Sequence, residues 1–379
     1  MTPDYVLILG ASARAAAFSA LRAGLRPWCA DLFADADLRL RCPAVRLEGR
    51  YPAGFAALFE SAPPGPWLYT GGLENHPRLV RRLARRRPLW GNDAEALLRA
   101  RDPAVLARAA RAAGLPAPAL ATAPGPGRWL LKPRAGAGGS GIRFCREGEG
   151  PAPAGAYLQE FIAGPAAGAV YVAAAGSARL LGLTRQLVGE GWLHAPPFRY
   201  CGSVGPLAAD PPLASALCAL GGLLAREAGL RGLFGIDGIL RDGAFWPVEV
   251  NPRYPASVEV LEHATGLLSL RLHRLAFEDP PAALAEPLPG AGGPVVGKAV
   301  LYARAALAFP PGGPWLASLD AGRSVEEMSE FADLPHPGER IGAGRPVLTT
   351  FARAAREAAC LEALRGRAAA AGARLYAGG

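Results

Sequence analysis

The stretch from Phe234 to Arg253, FGIDGILRDGAFWPVEVNPR, constrains this chain more than any other. It reads as two short apolar strands joined by the turn signal Asp242-Gly243. Along the second strand Trp246, Val248 and Val250 point one way, and Phe245, Pro247, Glu249 and Asn251 the other. The turn decides where Asp237, on the first strand, falls. A two-residue loop sets it beside Val248, on the wrong face. A three-residue loop, Asp242 to Ala244, pairs Arg241 with Phe245 and brings Asp237 opposite Glu249. Two carboxylates and the Asn251 amide on one face make an all-oxygen set, suited to Mg²⁺ rather than zinc. Scattered acids on a solvent-facing hairpin are the plain alternative, weakened because these groups sit inside the strands.

Only two of the 41 basic residues are lysine, Lys132 and Lys298. Where arginine has displaced lysine elsewhere, a surviving lysine marks a position that needs a compact ammonium instead of a planar fork. Lys132 ends a strand from Trp129 that runs into the loop PRAGAGGSG, Pro133 to Gly141, and then a strand from Ile142 to Cys145. Gly136, Gly138, Gly139 and Gly141 let backbone amides approach a polyphosphate, and Ser140 adds a hydroxyl. This is not a Walker A loop, because the lysine precedes the glycines and no helix follows; the loop joins two strands as a flap. A ligand-free glycine hairpin is the alternative. A further strand, Ala156 to Ile162, is either a plain connector or a hinge where Gln159, Glu160, Phe161 and Ile162 meet an adenine.

The chain opens with alternating strands and helices: Tyr5–Ala11, a helix to Ala23, then Pro27–Ala30, Val45–Leu47 and Trp67–Tyr69. That alternation predicts a small doubly wound α/β unit. Its first turn is not GxGxxG, so Gly10 reads as easing a tight turn instead of marking a dinucleotide site. Glu74, Asn75 and His76 follow Gly71-Gly72 and read as helix-capping residues ahead of a substrate role. Asn92 and Glu95 look like a capping box opening one helix to Gly114. Proline- and glycine-rich linkers follow at 115–119 and 123–127. Later come strands at Val170–Ala174 and Leu180–Val188, a polar loop Arg199–Gly205 able to grip a carboxylate, and a helix Leu213–Ala228 behind the hairpin. A helix from Glu259 to Ala276 and a linker from Pro280 to Gly293 lead to strands at Gly297–Tyr302 and Pro346–Thr350 and a helix Ala352–Ala371. Arg185 and Arg199 read as surface residues before ligands, and His263 and His273 as structural.

With 51% hydrophobic and 19% charged residues the chain is globular. Its net charge of +9 comes with a run of six arginines from Arg78 to Arg87, read as a solvated helix face without aromatics for base stacking, so nucleic acid is not expected as a partner. Cys29, Cys42, Cys145, Cys201, Cys218 and Cys360 show no metal-like spacing and fit free thiols in a reducing compartment. No apolar stretch is long enough for a bilayer. A cytoplasmic protein without a membrane partner is the expectation.

Lysine, glycine-rich hairpin, hinge strand with glutamate, then aspartate and Glu-Val-Asn-Pro-Arg, in that order, resembles the ATP-grasp superfamily of carboxylate–amine or carboxylate–thiol ligases. The likeness covers nearly the whole chain and looks most like the carbamoyl-phosphate synthetase and biotin-carboxylase branch. It implies α/β and α+β architecture: an N-terminal doubly wound α/β domain (1–92), a two-subdomain ATP-grasp fold (93–285, lid about 120–165) and a small C-terminal domain (286–379). It implies ATP and Mg²⁺ as cofactors, with Lys132 on the α- and β-phosphates and the loop from Gly136 to Gly141 closing over them. Gln159 to Ile162 would meet adenine, and Asp237, Glu249 and Asn251 would carry the metal. Arg253, with Lys132, would serve the transferring phosphoryl group.

Three positions depart from the pattern. Pro103 follows Asp102 where a basic residue is common, leaving Arg101 or Arg108 as substitutes. Ala166 and Ala167 stand where an acid often holds the ribose. Gly235 replaces the arginine of peptide-ligase relatives, which argues against a D-alanine-ligase-like role. Thr70–Pro77 and Pro88–Asn92 also look similar to an ATP-grasp group associated with tetrahydromethanopterin and methanofuran synthesis. The implied reaction joins a small-molecule carboxylate to an amine through an acyl phosphate, with the amine between the N-terminal domain and the grasp. A bicarbonate-activating carboxylase of the biotin-carboxylase type and a nucleic-acid-binding protein on an inactive grasp are the alternatives, and a homodimer is compatible with either enzyme.

Overall fold

The computed structural model describes residues 5–146, 148–290 and 292–377. The chain opens with β1 (Val6–Leu9), α1 (Arg14–Arg22), β2 (Pro27–Asp31), α2 (Ala36–Arg39), β3 (Ala44–Arg46), α3 (Phe55–Ser61) and β4 (Trp67–Tyr69). Its four strands run parallel in the order β3-β2-β1-β4. The loops after β1, β2 and β4 therefore leave from the same edge, the edge where sheets of this kind bind ligands. Gly10 is required for close approach: a Cβ there would overlap Thr70 Oγ1, whose hydroxyl donates to Ser12 O at 2.7 Å. Asp31 accepts the Ala13 N–H at 2.7 Å, so a carboxylate already sits at the start of α1, where a dinucleotide would put its pyrophosphate.

Next comes α4 (Pro77–Ala84), whose Arg78, Arg81 and Arg82 face solvent as expected. The helix expected from Asn92 to Gly114 is two, α5 (Ala94–Ala100) and α6 (Pro103–Ala112). Pro103 disfavours helical backbone at Asp102, which restarts the helix by accepting the Ala104 N–H at 3.0 Å. Asp93, not Asn92, caps α5 through the N–H groups of Glu95 and Ala96. Asn92 is buried and bridges elsewhere, donating to Pro252 O at 3.0 Å and accepting from Arg231 N at 2.8 Å.

A small antiparallel sheet follows, built from β5 (Leu120–Ala121), β6 (Trp129–Pro133), β7 (Arg143–Phe144) and β8 (Ala156–Glu160) in the order β5-β8-β6-β7. The remaining elements are β9 (Ala166–Ala174), β10 (Ser177–Val188), β11 (Tyr200–Leu207), α7 (Pro211–Glu227), β12 (Gly232–Arg241), β13 (Ala244–Asn251), α8 (Val258–Thr265), α9 (Ser269–Glu278) and α10 (Pro280–Ala285). They end with β14 (Val295–Tyr302), β15 (Leu307–Ala308), β16 (Phe331–Ala332), β17 (Arg340–Ile341), β18 (Pro346–Ala354) and α11 (Glu357–Leu375). Eight strands form one sheet, β13-β12-β9-β10-β11-β14-β18-β16. Three sequence expectations change here. Arg199–Gly205 is largely the buried strand β11 and not a polar loop. Gly266, at φ 77°, breaks the expected long helix into α8 and α9. The Pro280–Gly293 linker begins with α10. In addition, β18 runs on through Ala354, so the last helix starts at Glu357.

The hairpin of β12 and β13 overturns the expected loop. Arg241 pairs with Ala244, leaving a two-residue turn of Asp242 (φ 52°) and Gly243 (φ 74°), the backbone such a turn demands. Gly238 pairs with Pro247, but Asp237 pairs with Glu249, so Val248 is an extra residue, a β-bulge. The bulge does what the longer loop was expected to do. It also puts Phe245 and Val250 in one apolar cluster, where strict alternation had set them on opposite faces. α6 backs β13, while α7 lies against β9 and β10 instead of behind the hairpin.

The N-terminal unit, α8 and the C-terminal strands meet at a buried charge cluster. Arg14 pairs with Glu259 and, at 2.9 Å, with Asp333; Lys298 reaches Glu259 at 3.2 Å. Burial alone would raise the Glu259 carboxyl, but Arg14 and Lys298 hold it well below the usual range. The second surviving lysine is thus a structural one. Among the described residues no helix is long and apolar enough to cross a membrane.

Gly10→Ala should destabilise the protein by about 1–3 kcal/mol through overpacking against Thr70. Adding Thr70→Ala should recover part of that loss, read from denaturant midpoints of the single and double variants.

Candidate functional site

Glu249 and Asp237 face each other across the bulged hairpin. Asp237 Oδ1 accepts from Gln186 Nε2 at 2.6 Å and Oδ2 from Asn251 Nδ2 at 2.7 Å. Burial, then the charge of Glu249, pushes the Asp237 carboxyl up to about 6 despite both amides. Arg101, 4.0 Å from Glu249, answers this pair of opposed carboxylates only from a distance, and a divalent cation with a preference for oxygen would meet them directly. Among the described residues no three His, Cys, Asp or Glu side chains converge on a metal-sized point. A cation here would rest on Glu249 and Asp237 and draw further oxygens from a ligand. Asn251 turns its amide nitrogen to Asp237, and its Oδ1 accepts from Arg253 Nη2 at 2.8 Å. Gln186 escaped the sequence reading; a Cβ on Gly168 would sit 2.7 Å from its Nε2, so that glycine makes its room.

Lys132 is buried at the end of β6. Its ammonium donates to Gln159 Oε1 at 2.9 Å and to the carbonyl of Val248 at 3.2 Å. It therefore meets the bulge itself, one residue from Glu249, and does not contact the carboxylates directly. Lys132, Glu249, Arg101 and the flap residues Gly136, Gly139 and Ser140 line one cleft of about 500 Å³, counted with the space open to solvent. Gly138 and Gly141, at φ 55° and 78°, supply the turns of the flap.

The flap is docked on both sides. Asn75 Nδ2 donates to Gly136 O at 3.2 Å, and Arg101 Nη2 to Arg134 O at 2.9 Å and Gly136 O at 3.3 Å. Across from them Tyr200 N donates to Gly138 O, and Arg199 Nη2 to Ser140 Oγ, both at 3.3 Å. Arg199 thus touches the flap, while Arg185 pairs with Glu357 at 2.8 Å. Of the expected hinge, Gln159 turns its side chain to Lys132 and Val248 O. Glu160 Oε2 accepts from Ala119 N at 3.0 Å, and Phe161 donates its N–H to Arg128 O at 2.9 Å. Ile162 is buried, and none of the four lines the cleft.

Arg253 comes from the segment after β13 and is held on three sides. Nε lies 3.1 Å from Glu74 Oε1, Nη1 donates to Tyr254 O at 3.1 Å, and Nη2 meets Asn251. Burial works against its charge, but Glu74 keeps its pKa above the ordinary value. Of the two substitutes for the missing basic residue, Arg101 lies in the cleft, 4.0 Å from Glu249 Oε1, while Arg108 pairs with Glu227 on the surface at 3.3 Å. Glu74 and Asn75 do not cap α4; they reach Arg253 and the flap instead. A position just past a parallel strand was the available signal. His273 accepts from Leu233 N at 2.8 Å and lies 3.0 Å from Trp90 O; His263 packs edge-on against Phe351. Both are structural, and burial lowers each to about 4.

A family model described as an ATP-grasp domain matches residues 100–257. No curated protein matches the sequence. Among solved structures the L-amino acid ligase from Bacillus licheniformis is 15% identical over 98% of this chain and 98% of its own, with a TM-score of 0.71. Biotin carboxylase from Campylobacter jejuni, as its βγ-ATP complex, is 15% identical over 95% and 90%, with a TM-score of 0.68. The biotin carboxylase domain of the Hydrogenobacter thermophilus 2-oxoglutarate carboxylase, in complex with MgADP, ADP and bicarbonate, is 15% identical over 97% and 89%, at 0.66. At such identities the likeness establishes the fold: α/β with the ATP-grasp arrangement.

Because the folded carboxyl of Asp237 is raised from 3.8 to about 6, the native state holds its proton longer than the unfolded chain. Its contribution is fully present below pH about 4 and is lost as pH rises through about 6, by up to about 3 kcal/mol. Denaturation of metal-free wild type against Asp237→Asn should show the difference moving against wild type across that window, and a pH-independent difference would contradict the geometry.

Proposed function

We propose that this chain is an ATP- and Mg²⁺-dependent carboxylate–amine ligase. A substrate carboxylate takes the γ-phosphoryl group of ATP, an amine captures the acyl phosphate, and ADP and phosphate leave. The observation that carries the reading is the single cleft in which Lys132, Arg101, Glu249 and a docked glycine flap converge. Magnesium, held by Glu249 and Asp237 with nucleotide oxygens, would add a direct countercharge to the distant one that Arg101 gives those carboxylates.

Each residue's role follows from its position. Lys132 offers a compact ammonium to the α- and β-phosphates, exchanging its present bonds for theirs. Arg101 adds a second cation at the mouth of the cleft. The amides around Gly136 to Gly141 and the Ser140 hydroxyl would cover the phosphates and exclude water. Gln159 to Ile162 would lie beside the adenine. Asn251 keeps Asp237 and Arg253 in register, and Arg253 would stabilise charge on the transferring group. Little covalent chemistry is asked of the protein.

The amine is assigned to the space between the N-terminal unit and the large sheet. The resemblance of Thr70–Pro77 and Pro88–Asn92 to a group linked with one-carbon cofactor synthesis makes acids and amines of that pathway the first substrates to try. Bicarbonate is the competing acid, and the fold likeness to biotin carboxylases makes it worth testing beside them.

Pooled acids and amines should release ADP, not AMP, from ATP only when both are present. Glu249→Ala should lower that rate by at least about 100-fold, and Lys132→Ala should raise the KM for ATP by about 10-fold or more. ADP release with bicarbonate alone would favour the carboxylase, and AMP release would contradict both.

A further inference from the structure

Glu74 stands between the two arginines of the cleft. It is 2% exposed, and its Oε1 lies 3.1 Å from Arg253 Nε and 3.9 Å from Arg101 Nη1. Its Oε2 is buried without a hydrogen-bond partner among the described residues. A carboxylate this deep, with one oxygen unanswered, is costly to keep unless its charge is used. The far end of Arg253 is tied to Asn251, and Asn251 to Asp237. One line of contacts therefore runs from the loop after β4 to the carboxylate pair on the hairpin. The space is lined by glycines: a Cβ on Gly71 would come into ordinary contact with the Arg253 guanidinium at 3.6 Å, and one on Gly72 would overlap the Tyr51 hydroxyl.

We propose that Glu74 is a positioning residue that fixes Arg253 and Arg101 for the phosphoryl group in transfer while touching no substrate itself. The proposal rests on the ligase reading. A preorganised guanidinium acts on charge that develops in the transition state, whereas ground-state attraction for a nucleotide needs only its charge nearby. Loss of Glu74 therefore weakens transition-state binding selectively. The N-terminal unit, which supplies no group expected to hold ATP, would in this way control the chemistry of the nucleotide site.

The probes are MgADP alone and MgADP with aluminium fluoride, a mimic of the transferring phosphoryl group, titrated calorimetrically into the full chain. Wild type should bind MgADP more tightly when aluminium fluoride is present. In Glu74→Gln the Kd for MgADP alone should stay within about 2-fold, while the added tightening falls at least about 10-fold; Glu74→Asp should recover part of it. If wild type does not bind MgADP, the ligase reading fails. If it binds MgADP but aluminium fluoride adds nothing, or the variants keep the full tightening, the positioning role is overturned. Equal losses of both affinities in a folded variant make Glu74 merely structural and overturn it too. Should Glu74→Gln fail to fold, Glu74→Asp carries the same comparison.

Discussion

One additional residue in one strand organises the site. Without Val248 as a bulge, the two-residue turn at Asp242-Gly243 would set Asp237 against Val248 and send it to the face opposite Glu249. With the bulge, the carboxylates oppose each other, Phe245 and Val250 share the core beneath, and the Val248 carbonyl is turned to the Lys132 ammonium at 3.2 Å. The same irregularity aims the acids and receives the cation. Bulges re-aim side chains in this way next to functional sites.

Around that point, charge is balanced by groups drawn from every part of the chain. Asp237 is answered by amides from β10 and β13, Arg253 by Asn251 and by Glu74 of the N-terminal unit, and Arg101 by flap carbonyls. Behind the site, Arg14, Glu259, Lys298 and Asp333 join the N-terminal unit to α8 and to the C-terminal strands. Buried charges at a junction stabilise it only while every partner is present. Movement of the N-terminal unit would disturb the arginines of the cleft along with the junction.

Much of this was legible in the residues. The period-two patterning of 234–253, the glycine run after Lys132 and the alternating strands of the first 70 residues each give an element where the structure has one. The turn length was misjudged because pattern alone does not distinguish a longer loop from a short loop plus a bulge; either shifts the register by one. The helix from Asn92 broke because Pro103 outweighs the helix propensity of its alanine-rich neighbours. Glu74 and Gln186 were missed or misread for another reason. Each stands beside other polar residues with no pattern to single it out, and its partner lies more than 50 residues away in the chain. Tertiary contact alone gives such residues meaning.

The central claim is that Asp237, Glu249 and Lys132 surround a metal-bound nucleotide beneath the flap. A crystal structure with Mg²⁺ and a non-hydrolysable ATP analogue tests it most directly. The account predicts a cation about 2.0–2.1 Å from a Glu249 oxygen, with the triphosphate between Lys132 and the loop from Gly136 to Gly141. A nucleotide bound elsewhere, or one whose phosphates leave Glu249 and Lys132 untouched, would contradict it.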